Sequence, residues 1–367
     1  MGEMFNNPFT PNFGQVPQII AGRDQIIMEL DEVFDGALGS PARTTILIGA
    51  RGSGKTAMLS YFAQRCRQKG WISVSASCIA GIQEDILQQA AMAADHFTEP
   101  EHSRRLTGVS LGQFLGISWE NVSGFTPNWR TRMTALLDVL AEQDIGLFLT
   151  IDEIDPHLEE MIQIASVYQL LVRENRKVAL LMAGLPSEVS GLLNDRSVSF
   201  LRRASQHHLG RIADHEVTQA FRHTIESAGK QIEADALADA TKAIDGFPYM
   251  LQLVGFRSWQ GAGESAELKR EHVRTGIEMA QKDFENRVLL ATMTSLSRGD
   301  KTFLRAMLPD AGRSSVSDIE QRLDKSSGYV SRYRGRLIES GVIEQDGRGW
   351  VRFALPGLQS YLKKTEE

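Results

Sequence analysis

Between Thr44 and Arg67 the chain has few folds open to it. Thr44 to Ile48 is a short β-branched apolar run, Gly49-Ala50-Arg51-Gly52-Ser53-Gly54-Lys55-Thr56 follows at once, and Ala57 to Arg67 is compatible with a helix. That order predicts a strand, a phosphate-binding loop and a helix. Glycines let the loop turn so that successive backbone N–H groups face inward, and the helix offers the positive end of its dipole to an anion. Gly49 to Thr56 would then cradle nucleotide phosphates, with Lys55 reaching the β and γ phosphates and the Thr56 hydroxyl ligating Mg²⁺. The competing account is a glycine-rich turn carrying a solvated lysine.

Such a loop needs a second strand that ends in a carboxylate near the metal. Leu147-Phe148-Leu149-Thr150-Ile151-Asp152-Glu153 supplies one, as a nearly continuous apolar run of the kind buried on both faces of a sheet. Asp152 is the expected metal ligand, and Glu153 stands where a base would orient and deprotonate an attacking water. The adjacent pair favours hydrolysis of ATP over phosphoryl transfer to a small molecule. Acidic residues also end strands simply because loops are solvated, and Asp155 and His157 just beyond read as loop residues. Further strands are expected at Ile72 to Ser77, Val178 to Ala183 and Gln206 to Leu209. Strands alternating with helices imply a parallel α/β sheet with helices on both faces and ligands at the carboxyl ends of its strands. Between Val109 and Val122 partial alternation suggests an inserted hairpin, ahead of a helix at Thr131 to Ala141.

At 367 residues the chain exceeds what one core usually organises, which favours two or three domains. No apolar run reaches the roughly 18 residues that a membrane span requires. Its N-terminus lacks the basic-then-apolar pattern of a signal peptide, so a cytoplasmic location without membrane attachment is expected. Two cysteines, Cys66 and Cys78, with no matching His cluster argue for buried thiols rather than a disulfide framework or zinc site. The formal net charge of −6 is uneven: residues 291–367 hold 13 Lys and Arg against 10 Asp and Glu, leaving 27 against 36 in residues 1–290. The tail is a separate, mildly basic unit.

Ala21-Gly22-Arg23-Asp24 leading into a helix, then the loop, then Leu147 to Glu153, resembles the AAA+ and STAND branch of P-loop ATPases. Within it the chain is similar to the initiator-like and archaeal-type ATPases, which join this core to a helical lid and a winged helix. The resemblance implies that Gly22 and Arg23 lie near the base; a local salt bridge is the other role open to Arg23. It also exposes departures. The fourth strand ends in Met182-Ala183-Gly184-Leu185-Pro186-Ser187, where a polar γ-phosphate sensor is common, so that sensor is missing or displaced to Ser187. Gly246-Phe247-Pro248-Tyr249 looks like the GxP element of STAND ATPases, with Pro248 a nucleotide contact, although proline also suits the first turn of any helix. Arg257 is a weaker candidate for the missing second-sensor arginine. Arg202 and Arg203 precede the last strand where the family commonly places a catalytic arginine, acting in cis or on a neighbouring subunit; a solvated basic turn is the alternative.

From Asp214 to about Asn286 the pattern is helical throughout, with Val217, Ala220, Phe221 and Ile225 on one face, and corresponds to the lid. In the tail, helices are expected at Lys301 to Leu308, Val316 to Leu323 and Gly328 to Ser340. Val342 to Glu344 and Trp350 to Phe353 then flank Gln345-Asp346-Gly347-Arg348-Gly349, a hairpin with Arg348 at its tip. Three helices and a hairpin make a winged helix. On its third helix Val330, Tyr333 and Leu337 form the inner face and Tyr329, Arg332 and Arg336 the outer one. Because such a helix enters the major groove while the wing meets backbone or minor groove, Lys325, Tyr329, Arg332, Arg334, Arg336, Arg348 and Arg352 are candidate contacts to double-stranded DNA. Winged helices also serve as protein-binding modules.

The expected organisation is an N-terminal arm (1–18), a P-loop NTPase core (19–212), a helical lid (213–290) and a winged helix (291–367). The expected activity is hydrolysis of ATP to ADP with Mg²⁺, coupling nucleotide state to DNA binding, with possible homo-oligomers. A slowly turning signalling ATPase whose winged helix binds protein, and a replication initiator or helicase loader, are the alternatives.

Overall fold

The structure, a computed structural model, describes residues 6–12, 14–97 and 128–365. The hairpin expected between Val109 and Val122 lies outside them. Strands β1 (Thr44–Ile48), β2 (Trp71–Ser77), β3 (Gly146–Asp152), β4 (Val178–Gly184) and β5 (Ser205–His208) form one sheet in the order β2-β3-β4-β1-β5. Every pairing is parallel, with Leu147 of β3 opposite Val178 of β4 and Thr44 of β1 opposite Leu180.

The burial of β4, without one exposed residue, follows from its central place and reads in the sequence as an unbroken apolar run. β5 is an edge strand, Ser-Gln-His-His, and its exposure alternates. Alternate residues of the central strands feed two cores. Leu147, Leu149, Ile151 and Met182 pack under helices Ile82–Phe97, Trp129–Ala141 and Glu159–Arg173, whereas Phe148, Leu181 and Ala183 pack under Asp24–Phe34 and Lys55–Gln68. Cys66 and Cys78 are buried free thiols. Burial pushes Cys66 up to about 12.

After β5 the continuous helical stretch expected for the lid is broken into four helices, Asp214–Ser227, Ala234–Ile244, Pro248–Ala262 and Arg270–Phe284. Turns at Gly229 and Gly263 allow a two-residue parallel pairing of β6 (Gln231–Ile232) with β7 (Glu267–Leu268). Phe9, from the N-terminal arm, is buried among these helices against Phe221, the ring centroids 5.2 Å apart.

The tail holds helices Arg298–Ala306, Val316–Leu323 and Ser327–Glu339 with an antiparallel sheet, β8 (Arg313–Ser315), β10 (Trp350–Phe353) and β9 (Ile343–Gln345), in the order β8-β10-β9. These are the three helices and the hairpin expected of a winged helix, with one further strand. β8 and the closing helix Leu358–Lys364 were not expected, since Arg-Ser-Ser carries no apolar alternation. The lid and this module share one apolar core, running from Val217 and Phe247 to Phe303 and Leu337.

Candidate functional site

A cleft of about 770 Å³ opens at the carboxyl ends of β1 and β3. Its walls come from three parts of the chain: Arg51 to Met58, Asp152 to Asp155 and Glu188 from the sheet layer, Pro248, Tyr249, Leu251 and Gln252 from the lid, and Arg287, Val288 and Ala291 from the helix leading to the C-terminal module. Thr10, Asn12 and Gln15 of the arm, with Ile19 to Ala21 just after it, close its remaining side. That volume lies within the usual few hundred to about 1,000 Å³ of small-molecule sites.

The loop leaves β1 at Gly49 and returns at Gly54, where the helix Lys55–Gln68 begins. Gly52 and Gly54 both have positive φ, +81° and +93°, a backbone shape that aims amide groups at a bound anion. The Ser53 hydroxyl is buried with no hydrogen-bond partner, a donor left over inside the loop. Lys55 Nζ donates to the carbonyls of Gly49 (2.8 Å) and Ala50 (3.0 Å). Burial lowers its pKa, opposed by the carboxylates of Asp152, Glu188 and Glu153.

Thr56 Oγ1 donates to Asp152 Oδ2 at 2.6 Å, bringing the hydroxyl and carboxylate expected to share a metal into direct contact. No cluster of three His, Cys, Asp or Glu side chains suited to a metal occurs among the described residues. A hydroxyl and one carboxylate suit Mg²⁺, which completes its shell with water and substrate phosphate. Glu153 lies exposed at φ +52°, a left-handed conformation uncommon for a side-chain-bearing residue, and its N–H donates to Asp152 Oδ1 at 2.9 Å. Asp155 lines the cleft, while His157 does not.

Gly22 sits against the side chain of Glu216 and Ile212, and Arg23 lines the cleft. The Arg23 guanidinium donates to the Gly22 (2.9 Å) and Gly210 (2.8 Å) carbonyls, joining the start of the first core helix to the segment that enters the lid. Burial lowers its pKa, and Glu216 opposes that. Pro248 begins its helix against Gly54 and lines the cleft; a methyl at Gly52 would fall 2.7 Å from Phe247 Cε1, so the lid rests directly on the loop.

Other candidates lie elsewhere. Ser187 does not line the cleft, because β4 runs through Gly184 and the next helix instead presents Leu185 and Glu188. Arg257 is absent from the lining too, its guanidinium held by Asp283 (2.6 Å and 2.7 Å) and Gln260 (3.1 Å) within the lid. Arg202 and Arg203 are exposed at the end of a 3-10 segment, Arg202 donating to the Leu193 carbonyl at 2.8 Å, and neither lines the cleft. Arg287, Glu188 and the arm escaped sequence reasoning. A single arginine in a long helix gives no local sign of the wall it will join.

The third helix of the C-terminal module differs from its expected two faces. Val330 and Leu337 are buried, but Tyr333 is half-buried, and Tyr329 stacks on it with centroids 4.6 Å apart. Arg336 is not free on the outer face: it pairs at 2.9 Å with Asp300, whose carboxylate is 2% exposed. A carboxylate buried that far from water needs a cation, and Arg336 supplies it. Arg352 pairs with Glu344 at 2.7 Å. Arg334 is half-buried with an unpartnered Nε, while Lys325, Arg332 and Arg348 are exposed. The same helix packs against Pro186–Asn194 of the core.

The lysine-bearing loop, the acidic pair and the five-stranded parallel sheet define a P-loop NTPase. Residues 20–183 match the AAA ATPase domain. Residues 286–362 match a domain of unknown function, DUF8462. Among solved structures the chain is similar to the Walker-type ATPase paby2304 of Pyrococcus abyssi, with 12% identity over 98% of this chain and 100% of that one and a TM-score of 0.69. It is also similar to Cdc6p from Pyrobaculum aerophilum, with 16% identity over 97% of each chain and a TM-score of 0.50. At these identities the likeness is one of fold alone. No curated protein matches the chain. No described helix is long and apolar enough to cross a membrane.

Proposed function

We propose that this chain is an ATP-hydrolysing switch whose nucleotide state sets the position of its winged helix, and that the winged helix binds duplex DNA. One observation carries the first half: sheet layer, lid and the helix entering the C-terminal module all line a single cleft. Closure around a nucleotide must therefore move the module with the lid, a hinge-type transition.

Lys55 releases its loop carbonyls to neutralise the β and γ phosphates, and the Gly49 to Thr56 amides hold them. Thr56 and Asp152 would hold Mg²⁺, which would supply compensation for the phosphate charge. Glu153 orients the attacking water and accepts its proton. Arg202 or Arg203, outside the cleft, can serve only on a neighbouring copy or after a rearrangement.

For DNA, exposed Lys325, Arg332 and Arg348 are the leading phosphate contacts, with Tyr329 and Arg334 beside them. The pairing of Arg336 with Asp300 and of Arg352 with Glu344 favours a second reading, in which the module contacts protein and the ATPase turns over slowly. Steady-state ATP hydrolysis with and without duplex DNA, at low and moderate salt, separates them. Stimulation that fades with salt supports the DNA-coupled switch, because phosphate contacts release counterions. Hydrolysis indifferent to DNA, with no salt-sensitive binding, moves the module to protein contact.

A further inference from the structure

We propose that Glu188 shifts the preference of the cleft from nucleoside triphosphate toward diphosphate: its carboxylate, fixed between the Gly49 to Thr56 loop and the Asp152-Glu153 pair, opposes the charge of a third phosphate. The inference rests on the cleft being an ATP site.

Four carboxylates line the cleft: Asp152, Glu153, Asp155 and Glu188. Three of them have a partner or a duty. Asp152 accepts from the Thr56 hydroxyl and from the Glu153 N–H, Glu153 is the proposed base, and Asp155 Oδ1 accepts from the His157 N–H at 2.8 Å. Glu188 has no such role. Its Oε2 accepts from the Leu185 N–H at 3.0 Å, and no lysine or arginine lies within ion-pair distance of it among the described residues.

The backbone fixes where this charge stands. β4 ends at Gly184, whose carbonyl accepts from the Gly49 N–H at 3.3 Å, and the Gly49 carbonyl in turn accepts from Lys55 Nζ at 2.8 Å. The amide that follows Gly184 is the one that holds Glu188. On the other side, the Ile154 N–H donates to the Ala183 carbonyl at 3.0 Å, which ties the acidic strand end to the same turn. Glu188 therefore stands between the lysine-bearing loop and the acidic pair, and its charge is among those that oppose the lowering of the Lys55 pKa by burial. Lys55 acts on the β and γ phosphates, so Glu188 faces the outer end of the phosphate chain.

A third phosphate brings further negative charge to that end, beside an acid with no cation of its own. In a half-buried site water screens such a repulsion only in part. A diphosphate is one phosphate shorter and escapes most of it. The loop amides and Lys55 serve both nucleotides, and Glu188 tells them apart.

The test uses full-length wild type, E188Q, E188A and K55A, with ADP and a non-hydrolysable ATP analogue titrated by calorimetry in the presence of Mg²⁺. Glutamine keeps an oxygen for the Leu185 N–H, so E188Q removes the charge and leaves the start of the helix in place. E188Q is expected to bind the analogue about tenfold more tightly than wild type does, with ADP affinity changed by less than about twofold. E188A loses the cap as well, and should show the same shift in the ratio of the two affinities at a lower melting temperature. An unchanged ratio in E188Q, or weaker binding of the analogue by it, overturns the inference while leaving the ATP site standing. Wild type that binds neither nucleotide, or K55A that binds both as wild type does, overturns the ATP site and the inference together.

Discussion

At the scale of single residues the site depends on two side chains with different duties. Lys55 lies within the loop and its charge has no substitute there, so K55A is expected to abolish nucleotide binding, which calorimetry detects directly. Glu153 touches no phosphate-binding group of the loop and holds a left-handed backbone conformation worth about 1 kcal/mol or more of strain. E153Q should therefore keep ATP bound and stop turnover by at least about a hundredfold, the usual worth of a positioned base. A turnover rate equal to wild type would remove Glu153 from the mechanism. E153G relieves the strain, at the cost of a more flexible unfolded chain, so its melting temperature should not fall even though hydrolysis does. These residues were legible because the loop and the acidic strand end are local patterns with a fixed chemical purpose. Glu188 was not, since its place depends on where β4 stops and how the next helix starts.

At the scale of elements, the strands that could be read were those buried on both faces: Thr44–Ile48 and Val178–Gly184 are runs of apolar residues that no other element explains. β8 could not be read, since pairing with β10 rather than its own pattern makes it a strand. Neither could the role of the N-terminal arm. Asn7 Nδ2 donates to the Phe256 carbonyl at 3.0 Å, Thr10 N–H donates to Gln252 Oε1 at 2.9 Å, and Phe9 between them is buried in the lid. Further along, a methyl at Gly14 would lie 4.0 Å from Thr56 Cγ2. The arm thus runs from the lid core across the cleft to Thr56, as a strap. F9A removes its anchor, a loss of about 3 kcal/mol or more for a fully buried phenylalanine. Release of a fluorescent ADP analogue in stopped flow should then accelerate severalfold more than its association does. Unchanged release from folded F9A would show that the strap does not retain nucleotide.

At the scale of the whole molecule, Arg211 joins all three parts. It sits between β5 and the first lid helix, and its guanidinium pairs with Asp245 of the lid and donates to the Asp245 carbonyl at 3.0 Å. It also donates to Glu344 Oε1 at 3.3 Å and to the Phe353 and Ala354 carbonyls at 3.1 and 3.4 Å in the C-terminal module. Glu344 is shared with Arg352. Nearby, Gly341 approaches the loop so closely that a methyl on it would fall 2.7 Å from Ala50 Cβ. The Gly49 to Thr56 loop, the lid and the C-terminal module are therefore in mutual contact, and hydrogen bonds to a charged group, each worth about 1.5–3 kcal/mol, secure the module from one side chain. R211A removes them without touching the cleft, whose lining does not include Arg211. Its expected effects are a larger radius of gyration in solution scattering and faster proteolysis between residues 285 and 297, with ADP affinity within about twofold of wild type because no phosphate contact is lost. If DNA binding requires an undocked module, R211A should also bind duplex DNA more tightly at low salt, since undocking no longer works against those contacts. Scattering and proteolysis identical to wild type would mean that the shared apolar core alone holds the module, and that nucleotide must act on that core rather than on the Arg211 contacts.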